Sequence, residues 1–489
     1  MKTFIGIDLG TSSMKLLLVD QRGKILNNQR IEYEVSSPLK GWSEQNPSSW
    51  WQALDKAIPL LLQNQKAKDV YAIGIAGQMH GLVVLDEEDN VVRPCILWND
   101  GRTQKQTDYL NHVVGKDVLS QHTANVAFAG FTAPKILWLY ENEKENFDKI
   151  NKIMLPKDYL VYKLCGNHTT DFSDASGTLL LDVKNKRWDE KMCKICHVNP
   201  NWLPKLCASF EVVGTLCKSF ASKWGMDEQV KIVAGAGDNA AAAIGTNAVR
   251  DGKCNVSLGT SGTVFVASDN FSVDKNNALH SFCHATDKFH LMGCILSAAS
   301  CNSWWMDVLK SNDFDGEQKN LQQLLGKNDC FFLPYLTGER SPHNDVDAKG
   351  AFIGLNASTT RQKMTLAVLE GVSFALKDNL DVARQSGLKI ETATLCGGGA
   401  KSKLWQTIIA NVCDLTIHLP DLEEGPSYGG AILAMVGSGI YPSVQQACDR
   451  LVTIKEEIKP ERQLVEAYQQ KHQTFKKLYQ SLKELFKTM

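Results

Sequence analysis

Residues 4–19 read FIGIDLGTSSMKLLLV, and this stretch decides the fold. Two apolar runs, 4–7 and 16–19, flank a short turn built from Gly10, Thr11 and Ser12, the pattern of two strands joined by a tight bend. Its centre, Leu9-Gly10-Thr11-Ser12, recurs as Leu258-Gly259-Thr260-Ser261 about half the chain later. The second copy also lies between strand-like runs, 255–257 and 264–267. The shared context and half-length spacing point to a duplicated domain. Its boundary is expected near 245–252, where Gly245, Asn247, Asp251 and Gly252 interrupt the apolar pattern. The expected domains are 1–247 and 248–489.

Working outward, 71–75 and 82–85 read as strands separated by the polar segment Gly77-Gln78-Met79-His80-Gly81. Residues 232–235 read as a strand running into Ala236-Gly237-Asp238, and 239–244 as the start of a helix with Asp238 near its N-terminal end. Residues 366–376 and 430–436 read as buried helices. Strands alternating with helices define an α/β class. After Pro460, Leu464, Tyr468, Phe475, Leu478, Leu482 and Leu485 recur at mostly helical spacing, as expected of a terminal helix docked on the body. The lysines beside them leave a membrane-surface helix as the rival reading.

Composition narrows the class. The chain has 489 residues with 53 Lys+Arg against 54 Asp+Glu, so no global field points to nucleic acid. No window is apolar enough for a membrane-spanning helix. The apolar N-terminal stretch is cut by Asp8, Gly10 and Lys15, unlike a secretory signal. Fourteen cysteines without such a signal are expected to be reduced thiols of a cytoplasmic protein. Cys193, Cys196 and His197 form a C-x-x-C-H pattern, read as coincidence because nothing exports the chain and too few further ligands stand close by.

The two Gly-Thr-Ser turns carry the first chemistry. Glycine allows a tight turn and a close backbone approach, and the exposed N–H groups and hydroxyls can donate to phosphate oxygens. Two such turns at equivalent points imply a nucleotide clamped between the halves. Neither a P-loop nor a G-x-G-x-x-G at a strand end is present. A third cluster, Gly397-Gly398-Gly399-Ala400, follows a strand-like run and precedes helical 404–410, a favoured place for a nucleotide contact. Asp8 stands beside the first turn, where phosphate would repel it unless magnesium mediates. Asp238 lies between glycines and four alanines, which leave space around its carboxyl group. An N-cap role would explain the Asp but not its small neighbours, whereas a general base toward an attacking hydroxyl explains both. Met79 and His80, flanked by glycines, suit an uncharged polyhydroxylated ligand.

These residues together resemble the FGGY carbohydrate kinases. Asp8-Leu9-Gly10-Thr11-Ser12-Ser13-x-Lys15 is similar to that family's first phosphate motif, and Gly130-Phe131-Thr132-x-x-Lys135-Ile136-x-Trp138-Leu139 to its first signature. Gly237-Asp238-Asn239 resembles the catalytic-base motif. Ser257-Leu258-Gly259-Thr260-Ser261-Gly262 and Gly397-Gly398-Gly399-Ala400 resemble the second phosphate and adenosine motifs. Segments 41–45, 77–81, 97–102, 155–160 and 338–343 are most similar to members acting on D-xylulose. The family's second signature, expected around 350–376, is loose, and Ser427-Tyr428-Gly429-Gly430 carries an aromatic and a second glycine where small residues are commoner.

The resemblance implies two ribonuclease-H-like domains flanking a nucleotide cleft. It implies ATP as co-substrate, magnesium near Asp8, and phosphoryl transfer to a sugar, D-xylulose first. It places Asp238 as base, with Met79, His80, Asn239 and Trp98 at the sugar. Gly10, Thr11, Ser12, Lys15, Gly259, Thr260, Ser261, Gly398, Gly399 and Ala400 fall at ATP. A homodimer is a family expectation. The rivals are the same transfer to ribulose, gluconate or glycerol, and a nucleotide-driven actin- or chaperone-like module. Residues 338–343 have no assigned chemistry; a hinge or a lid are the readings open to them.

Overall fold

The computed structural model of the chain describes residues 1–422 and 424–489. It comprises two compact units: Met1–Val249 with Ser281–His290 and Glu424–Val452, and Arg250–His280 with Leu291–Glu423 and Thr453–Met489.

The first unit is built on strands β1 (Thr3–Leu9), β2 (Ser13–Asp20), β3 (Ile25–Glu32), β4 (Val70–Gly77), β5 (Val212–Thr215), β6 (Lys231–Val233) and β7 (Ala236–Gly237). They run in the order β5-β6-β4-β1-β2-β3, with β7 also pairing β4. β1 and β4 are buried along nearly their whole length, while the edge strand β3 alternates half-buried and exposed positions. A strand covered on both faces reads as a continuous apolar run, which is why 4–7 and 71–75 stand out in the sequence. Successive side chains of β1 point to opposite faces. Ile5, Ile7 and Leu9 join a core with Trp50, Leu54, Ile58 and Leu61 of the Pro47–Leu61 helix. On the other face the helix Gly425–Gly437 packs close to the sheet. A Cβ at Gly74 would lie 2.1 Å from the Gly430 carbonyl oxygen, so a side chain there would force the layers apart.

The second unit repeats this plan. Strands β8 (Cys254–Leu258), β9 (Gly262–Ser268), β10 (Thr392–Cys396), β11 (Thr416–Pro420) and β12 (Ile454–Ile458) follow the order β9-β8-β10-β11-β12. β8 is antiparallel to β9 and parallel to β10, as β1 is antiparallel to β2 and parallel to β4. The duplication inferred from two Gly-Thr-Ser turns is therefore present in the strand pairing. The Arg361–Gln385 helix, broader than the expected 366–376, and the Lys403–Cys413 helix enclose the core of this unit.

The terminal helix Arg462–Phe486 is docked: Tyr468, Phe475, Tyr479 and Phe486 enter the second core, while Leu485 stays exposed. Its buried face also carries Lys471 and His472, matched by Glu370 at 2.9 Å and Asp378 at 2.7 Å. Among the described residues no helix is long and apolar enough to cross a membrane. Cys193 and Cys196 are buried free thiols, and the His197 ring stacks on Tyr140 at 3.9 Å. Residues 338–343 make close contacts within the second unit. Glu339 and Ser341 are buried, Leu296 and Arg340 donate backbone N–H groups to Glu339 Oε1, and the His343 ring stacks on Tyr479.

Candidate active site

The site in the first unit follows from strand register. β1 and β7 both run parallel to β4, with Leu9 and Gly237 each opposite Gly77. Asp8, Gln78-Met79-His80 and Asp238 thus all emerge at the carboxyl ends of neighbouring parallel strands, where ligands of α/β sheets gather. The chain turns sharply at each end. Gly10 donates its N–H to the Ser13 carbonyl at 3.0 Å, and His80 takes a φ of 69°.

Asp238 is the first residue of the Asp238–Gly245 helix, and Gly237 occupies the N-cap. Its Oδ1 accepts the backbone N–H of Asn239 at 2.7 Å and the Asn239 side-chain amide at 2.9 Å. Burial nevertheless outweighs these bonds and pushes the carboxyl group up to about 6. Asp8 is raised to about 7, first by burial and then by the charge of Asp238; Lys15 works against the shift and Glu424 with it. Lys15 sits directly across the hairpin from Asp8 and forms an ion pair with Glu424.

Met79 is buried against Gly237: a Cβ on that glycine would lie 2.9 Å from the Met79 sulfur. The His80 ring stacks on Phe131 at 4.7 Å, and its Nδ1 is hydrogen-bonded to the Gly177 carbonyl at 2.8 Å. The His80 carbonyl accepts from Lys135 Nζ at 2.7 Å and from the Thr132 hydroxyl at 3.1 Å. Lys135 Nζ also reaches the Gly130 carbonyl at 2.6 Å. Burial lowers this amine to about 7, and a neutral amine has two N–H donors for the two carbonyls it meets. Segment 130–135 is thus the clamp that sets the His80 backbone.

Trp98 is partly exposed, and its indole N–H donates to the Thr11 hydroxyl at 2.9 Å. Thr11 donates to Gln78 Oε1 at 3.2 Å, and Gln45 Nε2 holds the Thr11 carbonyl at 2.7 Å. Gln45 Oε1 in turn accepts from Trp50 and from Gln78. The sequence reading counted the Gln78 amide among groups suited to an uncharged polyhydroxylated ligand, and gave Gln45 and Lys135 no role, because main-chain carbonyls such as those of Thr11 and His80 are not recorded in a residue pattern. The only signal was their place inside segments already quoted for the family resemblance.

In the second unit the Gly259–Thr260–Ser261 turn leaves β8, and the Gly397-Gly398-Gly399-Ala400 run leaves its parallel neighbour β10. The Thr260 carbonyl accepts from Ala298 N–H and Ser300 Oγ, so the start of the Ala299–Leu309 helix braces the turn. Thr260 is exposed, as are Gly397 and Gly398. Gly397 has a φ of 93°, and a Cβ on Gly399 would lie 2.6 Å from the Leu258 side chain. Gly397 and Gly399 are therefore needed to lay the loop across the end of β8, whereas a Cβ on Gly398 would meet nothing within 4 Å. The predicted residues thus form two groups: Asp8, Gly10, Thr11, Ser12, Lys15, Met79, His80, Trp98, Asp238 and Asn239 in the first unit, and Gly259, Thr260, Ser261, Gly398, Gly399 and Ala400 in the second.

Among the described residues no three His, Cys, Asp or Glu side chains converge on a metal site. The Asp8 carboxyl group, with Asp238 and Glu424 near enough to raise it, offers the kind of oxygen donor that magnesium takes beside water and phosphate oxygens.

Comparison with known proteins places this architecture. Residues 3–245 match the N-terminal domain and residues 254–438 the C-terminal domain of the FGGY family of carbohydrate kinases. The chain belongs to this family. The xylulose kinase of Escherichia coli (strain K12) is 40% identical over 482 residues, covering 98% of this chain and 99% of that protein. The xylulose kinase of Bacillus subtilis (strain 168) is 36% identical over 490 residues, covering 99% and 98%. A crystal structure described as a xyloylose kinase from Brucella ovis superposes with a TM-score of 0.94 at 37% identity, covering 99% of this chain and all of that one. The fold is the two-domain FGGY kinase fold, and the chain is a sugar kinase.

Proposed function

We propose that the chain transfers the terminal phosphoryl group of ATP to D-xylulose, giving D-xylulose 5-phosphate, with Asp238 as general base. The observation that carries this reading is the meeting of Asp238, Met79 and His80 at adjoining strand ends, with the Gly10–Thr11–Ser12 turn on the next strand. A carboxyl group raised to about 6 is ionised at neutral pH and still basic enough to take a hydroxyl proton. Asn239 fixes one carboxylate oxygen and leaves the other for the sugar. Met79 and His80 offer an apolar wall and a polar ring edge to an uncharged ketose, with Trp98 at the rim. A carboxylate-bearing sugar would want a cation there, and the Gln78-Met79-His80 segment supplies none while His80 is neutral.

Gly10, Thr11, Ser12 and Lys15 in the first unit and Gly259, Thr260, Ser261, Gly398, Gly399 and Ala400 in the second are assigned to ATP. Magnesium beside Asp8 supplies positive charge toward the phosphates when bound. In this class of transfer, positioning and charge stabilisation supply most of the acceleration. The fourteen free cysteines fit a reducing compartment, the cytoplasm.

The test is a coupled assay of ADP release with ATP and magnesium across D-xylulose, D-ribulose, gluconate and glycerol. The expected result is the highest kcat/KM for D-xylulose and no turnover after chelation of magnesium. A higher kcat/KM for another member of the panel replaces the substrate and keeps the reaction. Sugar-independent ATP turnover or filament formation with ATP overturns the kinase reading.

A further inference from the structure

A buried ionic cluster lies behind the site and takes no part in the reaction as described above. Lys157, at the start of the Pro156–Cys165 helix, is fully buried. Its Nζ meets Asp158 at 2.5 Å, Asp171 at 3.0 Å and Asp174 at 3.7 Å, all of them buried too. Burying one cation among three carboxyl groups is costly for a fold unless each group is fixed by further bonds. Asp171 has such bonds. Its Oδ2 accepts Ser173 N–H at 2.9 Å, the Ser173 hydroxyl at 2.5 Å and the Ser209 hydroxyl at 2.7 Å.

The chain of contacts continues to both halves of the candidate site. The Ser173 hydroxyl accepts the N–H of Gly237, the residue immediately before Asp238, at 3.2 Å. Four residues further on, the Gly177 carbonyl holds His80 Nδ1, and a Cβ on Gly177 would lie 2.4 Å from the His80 ring. Lys157 itself lies under the end of β4: a Cβ on Gly77 would be 2.8 Å from its Cβ. One short segment, 171–177, thus touches the backbone of the residue preceding the base at one end and the ring of His80 at the other.

We propose that segment 171–177, anchored on Lys157 through Asp171, is a positioning element that sets Asp238 through Ser173 and His80 through Gly177. The proposal rests on the reading of Asp238 as base and His80 as sugar ligand. Burial alone would lower the Lys157 amine, but Asp158, Asp171 and Asp174 together outweigh it and keep it protonated, so the anchor holds its charge. The two ends of the segment then have separable effects. Loss of the Ser173 hydroxyl frees the peptide leading into Asp238 and slows the chemical step. Crowding at Gly177 tilts the His80 ring and weakens sugar binding.

The experiment compares kcat and both KM values, with D-xylulose and ATP, for Ser173→Ala, Ser173→Thr, Ser209→Ala and Gly177→Ala. Ser173→Ala is expected to lower kcat at least tenfold with both KM values within threefold, and Ser173→Thr to recover it to within threefold of the parent. Ser209→Ala removes another donor to the same Asp171 oxygen but leaves Gly237 bonded, so its kcat stays within threefold. Gly177→Ala is expected to raise the KM for D-xylulose at least tenfold with kcat within threefold.

A parent-like kcat in Ser173→Ala overturns the proposal, as does an equal loss in Ser209→Ala. Should Ser173→Ala not fold, a fall in kcat without a rise in the KM for D-xylulose in Gly177→Ala overturns it instead. An Asp238→Asn control separates the two readings. Retained turnover there removes the base assignment, whereas an inactive Asp238→Asn beside a parent-like Ser173→Ala removes the positioning role alone.

Discussion

Trp98 and Thr11, remote in sequence, share a hydrogen bond of 2.9 Å between the indole N–H and the threonine hydroxyl. The hydroxyl in turn donates a hydrogen bond to Gln78 Oε1 at 3.2 Å, so the segment assigned to the sugar and the first phosphate turn are tied through one oxygen. Trp98→Phe keeps the apolar ring and removes the donor. Losing a neutral hydrogen bond of about 1 kcal/mol corresponds to roughly a fivefold change. The expected outcome is a KM for ATP raised by that factor with kcat little changed. Thr11→Val removes the bond to Gln78 as well, so its shift should be larger, and the double variant should lose no more than Thr11→Val alone. Steady-state kinetics at saturating sugar measure all three.

Asp238 sets an acid limit on activity. As a base it works only when ionised, and burial raises it from 3.8 to about 6. kcat/KM should therefore fall about tenfold per pH unit below roughly pH 6, and Asp238→Asn should lose about 10²- to 10⁴-fold in kcat. The same shift carries a sign for stability. A carboxyl group raised in the folded state favours folding below its unfolded value, and that contribution is lost as pH rises through about 6. Asp238→Asn is expected to melt higher than the parent at pH 8 and not at pH 4.

Lys135 has the opposite sign. Its amine falls from 10.5 to about 7 on burial, so the folded chain binds fewer protons than the unfolded chain between those values. Its contribution to stability therefore rises with pH from about 7 to 10.5. Lys135→Met lacks that rise. It also removes the Lys135 donor from the Gly130 carbonyl and leaves the His80 carbonyl with Thr132 alone, and a buried carbonyl left unpaired costs about 1–3 kcal/mol. A lower melting temperature and a higher KM for the sugar are expected together, since the clamp holds His80. Thermal unfolding at pH 7 and pH 9.5, parent against variant, reads the first effect.

What was legible in the sequence follows from what a local pattern can carry. The two Gly-Thr-Ser turns were visible because strands buried on both faces leave uninterrupted apolar runs on either side of them. Asp238 stood out because its neighbours are too small to crowd it. The helix Gly425–Gly437 was readable as buried, but an element apolar all round does not say which sheet it covers. Its packing on Gly74 depends on carbonyl-to-Cα approaches that no periodicity records. The polar supports were less legible still. Gln45, Gln78, Lys135 and Ser173 act through backbone groups brought close only by folding, and their residue types are common at surfaces. The terminal helix showed its Tyr468 and Phe475 stripe, while Lys471 and His472 on the same buried face drew no reading, because their partners Glu370 and Asp378 come from a distant helix.

Gly398 and Gly399 separate a contact with nucleotide from a requirement of the fold. A Cβ on Gly399 would lie 2.6 Å from the Leu258 side chain and 3.1 Å from Trp405, whereas one on Gly398 meets nothing within 4 Å. Gly399→Ala must therefore displace the loop that crosses the end of β8, and it should weaken ATP binding and lower the melting temperature of the unliganded protein together. Gly398→Ala has open space in the unliganded chain, so its melting temperature should stay with the parent. If the loop receives the adenosine moiety, the added methyl group occupies space the nucleotide needs, and overpacking of that kind typically costs about 1–3 kcal/mol. A ten- to hundredfold weaker ATP affinity by calorimetry, at unchanged stability, is the expected result for Gly398→Ala. Parent-like affinity would move the nucleotide away from this loop.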